Sequence, residues 1–149
     1  MLMLRPSGGF DVTGTRNNMA AWPGSISAIT LFVEDLAPTK EFYLEVFQLA
    51  ILFEDEDSAV FRFDNTVINL LESSAAVSLI APASVASAET GSRLRLTLDV
   101  ENVDATCAVL TARGVKILNG PMNREWGIRT ASFRDPGGHT WEIAQPLGL

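Results

Sequence analysis

The side chains best suited to metal or acid–base chemistry stand near the end of the chain, in residues 133–145, FRDPGGHTWEIAQ. His139, the only histidine, and Glu142 could both bind a divalent metal ion, because imidazole nitrogens and carboxylate oxygens are common ligands. The alternative is a β-turn followed by a strand that happens to carry an acid. An odd separation along a strand places two side chains on opposite faces, which favours the second interpretation.

Composition limits the classes of function. The 149 residues are 47% hydrophobic and 19% charged, as in one globular domain. A net charge of −7 disfavours nucleic acid as a partner and would attract a cationic rather than an anionic small ligand. Cys107 is the single cysteine, so an intramolecular disulfide and a cysteine-based zinc site are excluded. No signal sequence is evident, and no apolar run has the roughly 20 residues of a membrane span, so we expect a cytoplasmic protein.

The elements that must position these side chains occur twice. An alternating strand, SISAITLFVED, precedes an amphipathic helix with Asp35 placed to cap it, and three strand-like runs follow. The same order returns from RLRLTLDVEN onward, with Val100 standing 67 residues after Val33. We predict one structural domain with a flexible leader at 1–24, a first βαβββ module at 25–72, an Ala/Ser-rich linker at 73–92 and a second βαβββ module at 93–149.

Each predicted helix needs an apolar sheet face to cover, which indicates an α+β fold. The opposite sheet face carries small, polar and aromatic side chains together. Such a mixture is expected of the wall of a ligand cavity, and the alternative is a face open to water. The residues predicted on this face are Ala28, Thr30, Phe32, Asn69, Arg95, Thr97 and Glu142.

Two segments, ITLFVEDLAPTKEFYLEVFQL and WGIRTASFRDPGGHTWEIAQ, resemble the opening and closing segments of the vicinal oxygen chelate superfamily. That superfamily includes glyoxalase I, bleomycin-resistance proteins, fosfomycin-resistance proteins and extradiol dioxygenases. The resemblance implies tandem βαβββ modules that form a curled mixed sheet around a concave cavity, with the helices outside. The family usually ends its first helix with Leu-Gly, whereas Phe47-Gln48 stands here. Because a left-handed cap favours glycine, we expect this helix end to be built differently.

The resemblance also bears on the metal question. Enzymes of the superfamily hold a divalent ion through His, Glu and Gln side chains on the first and last strands of each module. The matching positions here are Ala28, Asn69, Arg95 and Glu142. A methyl group cannot bind a metal, an amide is a weak ligand and a guanidinium repels a cation, so we expect neither a metal nor another cofactor. We expect an Arg95–Glu142 salt bridge in its place, the alternative being two separate solvated side chains.

The tryptophans differ in their expected roles. Trp141 alternates with Glu142 and should lie in the core. Trp126 stands in a polar loop, NREWGIR, which lies beside the cavity in the bleomycin-resistance proteins that this chain resembles. We therefore predict that Trp126 forms a stacking wall for a flat ligand, with simple hydrophobic packing as the alternative.

These features favour a metal-independent binding protein of the bleomycin-resistance kind, which sequesters a cationic or aromatic, antibiotic-like compound in the cavity of a homodimer. The alternative is an enzyme, namely a glyoxalase-like lyase, isomerase or dioxygenase with an unconventional or metal-free site and Glu142 as its general base. A third possibility is a structural or regulatory module without a small ligand. The expected ligand contacts are Phe32, Asn69, Arg95, Thr97, Trp126 and Glu142.

Overall fold

The computed structural model describes residues 22–148, so most of the predicted leader lies outside the described part of the chain. The first module consists of β1 (Ile29–Val33), α1 (Leu36–Glu45), β2 (Ile51–Glu54), β3 (Ser58–Arg62) and β4 (Val67–Glu72). Helix α2 (Ser73–Ile80) and a short 3₁₀ helix (Ala88–Thr90) follow. The second module consists of β5 (Arg95–Asp99), α3 (Val103–Ala112), β6 (Asn119–Asn123), β7 (Ile128–Arg134) and β8 (Thr140–Pro146).

The two modules form two four-stranded mixed sheets with the same topology, β1-β4-β3-β2 and β5-β8-β7-β6. In each sheet the first strand of the module pairs in parallel with the last strand, and the other pairs are antiparallel. The predicted α+β fold with tandem βαβββ modules is therefore confirmed. The strands are divided between two open sheets, because β1 and β5 each pair only with the last strand of their own module among the described strands.

A single hydrophobic core joins the two modules. Tyr43 of α1 is fully buried. Its ring lies 5.3 Å from that of Phe61, in the sheet of the same module, and 5.9 Å from that of Trp141, in the sheet of the other module. Phe47, which follows α1, lies 4.8 Å from Trp141. Trp141 is only 2% exposed, so its predicted place in the core is confirmed. Helix α1 thus packs against both sheets and fixes the position of one module relative to the other.

Each module helix begins with a contact from the last strand of its own module. The amide of Leu36 donates to Oε1 of Glu72 at 3.3 Å, and the amide of Val103 donates to Oε1 of Gln145 at 2.9 Å. Asp35 occupies the N-cap position of α1, but its side chain makes no capping hydrogen bond, contrary to the prediction. Glu72 takes over this role, because the parallel pairing of β1 with β4 brings the end of β4 to the start of the helix.

The end of α1 differs from the expectation. Because glycine is absent here, we expected no left-handed residue after the helix. Gln48 nevertheless has a φ of 54°, which is the left-handed conformation. Gly114, which follows α3 in the second module, has a φ of 85° in the corresponding turn. In both modules a residue with positive φ reverses the chain after the helix, which brings Leu49 onto the core in the first module and Val115 in the second.

We expect Gln48→Gly to stabilise the protein by about 1 kcal/mol, because a Cβ in the left-handed region costs roughly that amount. The melting temperature should rise by about 2–4 °C, measured by calorimetry or circular dichroism. Gln48→Ala is the matched control, since alanine keeps the Cβ and should give no gain. An equal gain from both variants would show that the Gln48 side chain, and not its backbone conformation, limits stability.

Two local boundaries also differ from the sequence pattern. The Ala/Ser-rich segment predicted as a linker contains the eight-residue helix α2, whose Ala76 is fully buried. In the run VKILNGP, strand β6 begins only at Asn119 and includes Pro121, which an edge strand tolerates because it lacks a partner on one side. Within residues 22–148, no helix has the length and apolar character needed to cross a membrane.

Candidate ligand-binding site

The predicted ion pair between Arg95 and Glu142 is present on the second sheet. Nη1 of Arg95 lies 2.9 Å from Oε2 of Glu142, and Oγ1 of Thr97 donates to Oε1 of Glu142 at 3.1 Å. Both oxygens of the carboxylate therefore have a donor. Glu142 is 4% exposed, whereas the Arg95 side chain is 56% exposed, so a buried acid is paired with a cation that reaches solvent. The alternative of two separate solvated side chains is wrong.

The strand register accounts for this arrangement. β5 runs parallel to β8 with Thr97 opposite Glu142, and Arg95 precedes Thr97 by two residues on the same face. The residues that alternate with them, including Leu96, belong to or pack against the core. The same hydrophobic alternation that fixes the sheet thus brings the three polar side chains together on the opposite face.

The residues at the family's metal positions do not fit a divalent ion. Ala28 precedes β1 and has no donor atom. Asn69 donates through Nδ2 to Oγ1 of Thr30 at 3.4 Å, and Arg95 holds the one remaining carboxylate, that of Glu142. In the described part of the chain, no three or more His, Cys, Asp and Glu side chains come together in a way that could hold a metal ion. A single carboxylate that already binds a guanidinium is a poor cation site.

Asn69 and Phe32, two further predicted contacts, lie on the first sheet. The Oδ1 atom of Asn69 is buried without a hydrogen-bond partner in the described structure, which is unusual for a buried amide. No hydrogen bond among the described residues connects the Asn69–Thr30 pair with the Arg95–Glu142 pair. Direct contacts bring Arg95, Thr97 and Glu142 together on the second sheet, whereas Phe32 and Asn69 lie on β1 and β4 of the first sheet.

Trp126, the sixth predicted contact, lies in the turn between β6 and β7, where its side chain is 68% exposed. Because β5 and β6 are the opposite edges of their sheet, Trp126 lies at the far edge from Arg95. The two residues also lie at opposite ends of the strands, because Arg95 is level with Arg134 through Thr140 whereas Trp126 precedes Ile128, which separates them by roughly 20 Å along the strands. Trp126 is thus available for stacking, but it does not contact the ion pair.

A cavity of about 200 Å³ lies where the first module, the linker and the turn before β8 meet. Glu34, which follows β1, accepts a hydrogen bond from the amide of Ala88 at 2.9 Å and so holds the linker against the first module. This contact joins residues 54 positions apart, and no sequence pattern indicated it. The cavity walls include Phe32, Glu34, Ser87, Leu94, Gly137 and His139.

The turn before β8 is organised around the buried carboxylate of Asp135. It accepts hydrogen bonds from the Tyr43 hydroxyl at 2.8 Å, from the His139 amide at 3.0 Å and from Nε1 of Trp141 at 3.4 Å. Nδ1 of His139 lies 3.0 Å from the same carboxylate. His139 therefore belongs to this turn and does not share a site with Glu142. Burial, and then the charge of Asp135, raise the pKa of the Tyr43 hydroxyl well above its ordinary value.

The contribution of the ion pair can be measured with a double-mutant cycle. We expect Arg95→Met to lower the free energy of unfolding by about 1–2 kcal/mol, because Glu142 would keep only Thr97 as a partner. This is less than the several kcal/mol of a fully buried pair, because Arg95 reaches solvent. In the Glu142→Gln background the same change should cost no more than about 0.5 kcal/mol. Equal costs in the two backgrounds would mean that the pair adds nothing to stability.

Known proteins resemble this chain over most of its length. The model of the Glyoxalase/Bleomycin resistance protein/Dioxygenase superfamily matches residues 25–143. The uncharacterized protein YraH of Bacillus subtilis (strain 168) is 34% identical over 123 residues, which cover 80% of this chain and 96% of YraH. A glyoxalase/bleomycin resistance protein/dioxygenase from Nocardioides has a TM-score of 0.78 at 20% identity, with 87% of this chain and 88% of that one covered. TnmS3, an antibiotic binding protein from Streptomyces sp. CB03234, has a TM-score of 0.62 at 29% identity, with 87% and 99% covered.

Proposed function

Because the chain belongs to the glyoxalase/bleomycin resistance protein/dioxygenase superfamily, we propose that it is a metal-independent binding protein for a cationic or aromatic, antibiotic-like compound. One observation carries this proposal. The guanidinium of Arg95 lies 2.9 Å from the carboxylate of Glu142, at the positions where the family's enzymes bind their metal ion. The guanidinium of Arg95 thus takes the place of the metal ion. A protein that binds its ligand without catalysing a reaction does not need a metal ion.

The likeness to TnmS3 supports the same class of function. TnmS3 is an antibiotic binding protein, and this chain covers 99% of it at 29% identity. Proteins of this fold that carry out no reaction can dispense with the metal ligands while keeping the sheets that form the binding surface. Ala28 and Arg95, which cannot bind a metal ion, agree with such a role.

The chemistry of the exposed groups indicates the kind of ligand. A planar guanidinium and an indole both stack on flat aromatic rings, and both Arg95 and Trp126 reach solvent. A compound that touched both side chains would have to extend over more than about 20 Å, because they lie at opposite ends of the strands. That length requires a large compound with several rings and side groups. Attraction of a cation would come from the net charge of −7, since Arg95 already neutralises Glu142.

A homodimer is part of the proposal. The superfamily's binding proteins form their cavities between subunits. Here Met122 in the edge strand β6 and Trp126 in the turn after it are exposed, where a partner or a ligand could cover them. Light scattering coupled to gel filtration would test the assembly directly. A monomer at all concentrations would contradict the dimer without affecting binding within one chain.

Two measurements test the function. The first is the metal content of the purified protein, for which stoichiometric zinc, nickel, manganese or iron would overturn the proposal in favour of an enzyme. The second is a thermal-shift titration with bleomycin and with ethidium, a flat aromatic cation. A ligand at about 100 times its dissociation constant stabilises the fold by about 2.7 kcal/mol, which would raise the melting temperature by several degrees.

Trp126→Ala should abolish most of this shift, while Trp22→Ala serves as its matched control. Trp22 is 92% exposed and lies before β1, outside the proposed site, so its removal should leave ligand binding unchanged. Equal effects of the two substitutions would show non-specific association of the dye with exposed indoles. No stabilisation by either compound would remove the support for an aromatic cationic ligand.

A further inference from the structure

The cavity beside the turn before β8 contains a histidine whose orientation is fixed. Nδ1 of His139 lies 3.0 Å from Oδ1 and 3.1 Å from Oδ2 of Asp135, whose side chain is fully buried. A Cβ on Gly137 would come within 2.9 Å of Cε1 of His139 and 3.0 Å of Cγ1 of Val33. Only glycine therefore lets the imidazole ring lie this close to the backbone. The ring is held from two sides before any ligand arrives.

The partners of Asp135 also determine the tautomer of His139. The carboxylate receives hydrogen bonds from Tyr43, from the His139 amide and from Trp141, so it acts as an acceptor. Nδ1 must then carry the hydrogen, which leaves the lone pair of the neutral ring on Nε2. Nε2 has no hydrogen-bond partner among residues 22–148. The side chain is 15% exposed and lines the cavity, so Nε2 is an acceptor that a bound molecule can use.

The other walls of the cavity limit what could bind there. Phe32 and Leu94 provide apolar surface, and Gly137 provides flat backbone. The charged residues of the wall, Glu34 and Arg93, have opposite signs, so the cavity does not favour a strongly charged ligand. Its volume of about 200 Å³ lies below the 300–1,000 Å³ typical of pockets for drug-sized ligands, which indicates a molecule of roughly one ring.

We propose that this cavity is a second binding site, which takes a small neutral aromatic ring bearing a hydroxyl group, with Nε2 of His139 as the acceptor of the hydroxyl proton. Phe32 and Leu94 pack against the ring. The site differs from the one proposed for the larger compound, because Phe32 is the only expected contact of that compound that lines this cavity, and the proposed function rests on Arg95, Glu142 and Trp126. The two proposals can therefore fail independently.

The test uses 4-fluorophenol as the probe and 4-fluoroanisole, which lacks the hydroxyl hydrogen, as its matched control. Fluorine NMR line broadening with the full chain should give a dissociation constant on the order of 1 mM for the phenol, since so few atoms make contact. The anisole should bind at least tenfold more weakly. His139 is the only histidine, so nitrogen-15 labelling of histidine gives one imidazole. Its spectrum should show Nδ1 protonated in the free protein and a shift of Nε2 when the phenol binds.

Two substitutions locate the site. His139→Asn keeps the backbone hydrogen bond to Asp135 but removes Nε2, and it should weaken phenol binding at least tenfold while the fold is retained. Ala88→Phe should fill the cavity and block the probe, and Ala83→Phe, in the same linker but outside this cavity, is the control. Absence of phenol binding, equal binding of the two probes, full binding by His139→Asn, or a free protein with Nε2 protonated would each overturn the proposal.

Discussion

Replacement of Asp135 by alanine is expected to destabilise the protein by about 3–5 kcal/mol. Its carboxylate accepts hydrogen bonds from buried Tyr43 and Trp141 and from the amide of His139. Each buried donor left without a partner costs roughly 1–3 kcal/mol, and the removed side chain would also leave a void. The contact with Tyr43 joins residues 92 positions apart in different modules, so its loss should loosen the packing of one module on the other.

Chemical denaturation with a single transition would measure this loss. Asp135→Asn keeps the shape and one oxygen acceptor, so it should be less destabilising than alanine. Asp99→Ala, at an exposed position at the end of β5, is the control and should change stability by no more than about 0.5 kcal/mol. A cost for Asp135→Ala as small as that for Asp99→Ala would mean that the buried hydrogen bonds contribute little.

Tyr43, the only tyrosine, is expected to keep its proton until the protein unfolds in alkali. Burial and the neighbouring Asp135 raise its pKa in the folded state above the ordinary value of 10.0. Below about pH 10 the hydroxyl is protonated in both the folded and the unfolded state, so its full contribution to stability is present. Above that pH the unfolded chain releases the proton and the folded chain does not. Stability should then fall by about 1.4 kcal/mol for each pH unit.

Tyrosinate absorbance and circular dichroism, followed together during an alkaline titration, would test this. The two signals should change at the same pH, because ionisation requires unfolding. Tyr43→Phe should remove this component of the alkaline destabilisation, at a cost of about 1 kcal/mol at neutral pH from the lost hydrogen bond. Appearance of tyrosinate near pH 10 with the fold intact would contradict the proposed environment of Tyr43.

The parts of the fold that sequence reasoning predicted depend on regular alternation. Repetition of strand and helix patterns indicated the two modules, and the alternation of Trp141 with Glu142 placed the first in the core and the second on the opposite face. The Arg95–Glu142 pair was expected from the resemblance to the superfamily, whose metal positions fall on these two residues of the second module. Alternation alone assigned the two side chains to the same sheet face.

The remaining features depend on contacts between distant residues. The path of the linker follows from the Glu34–Ala88 contact, and the start of α1 is capped by Glu72 instead of the adjacent Asp35. Neither contact has a local pattern that reveals it. At Gln48, the packing of the following residues onto the core outweighs the local preference for glycine. The distance of Trp126 from Arg95 likewise depends on β6 being the far edge strand.

The capping of each helix by its own module has a consequence for the evolution of assemblies. Glu72 and Gln145 act within the modules that contain them, whereas the Tyr43–Asp135 and Val46–Arg113 hydrogen bonds join one module to the other. If two chains exchanged their second modules, both caps would be conserved unchanged, and the joining contacts would form again between chains. Only the path of the linker between the two modules would change. A change of linker length alone could therefore convert a closed single chain into an intertwined pair without any substitution in either core.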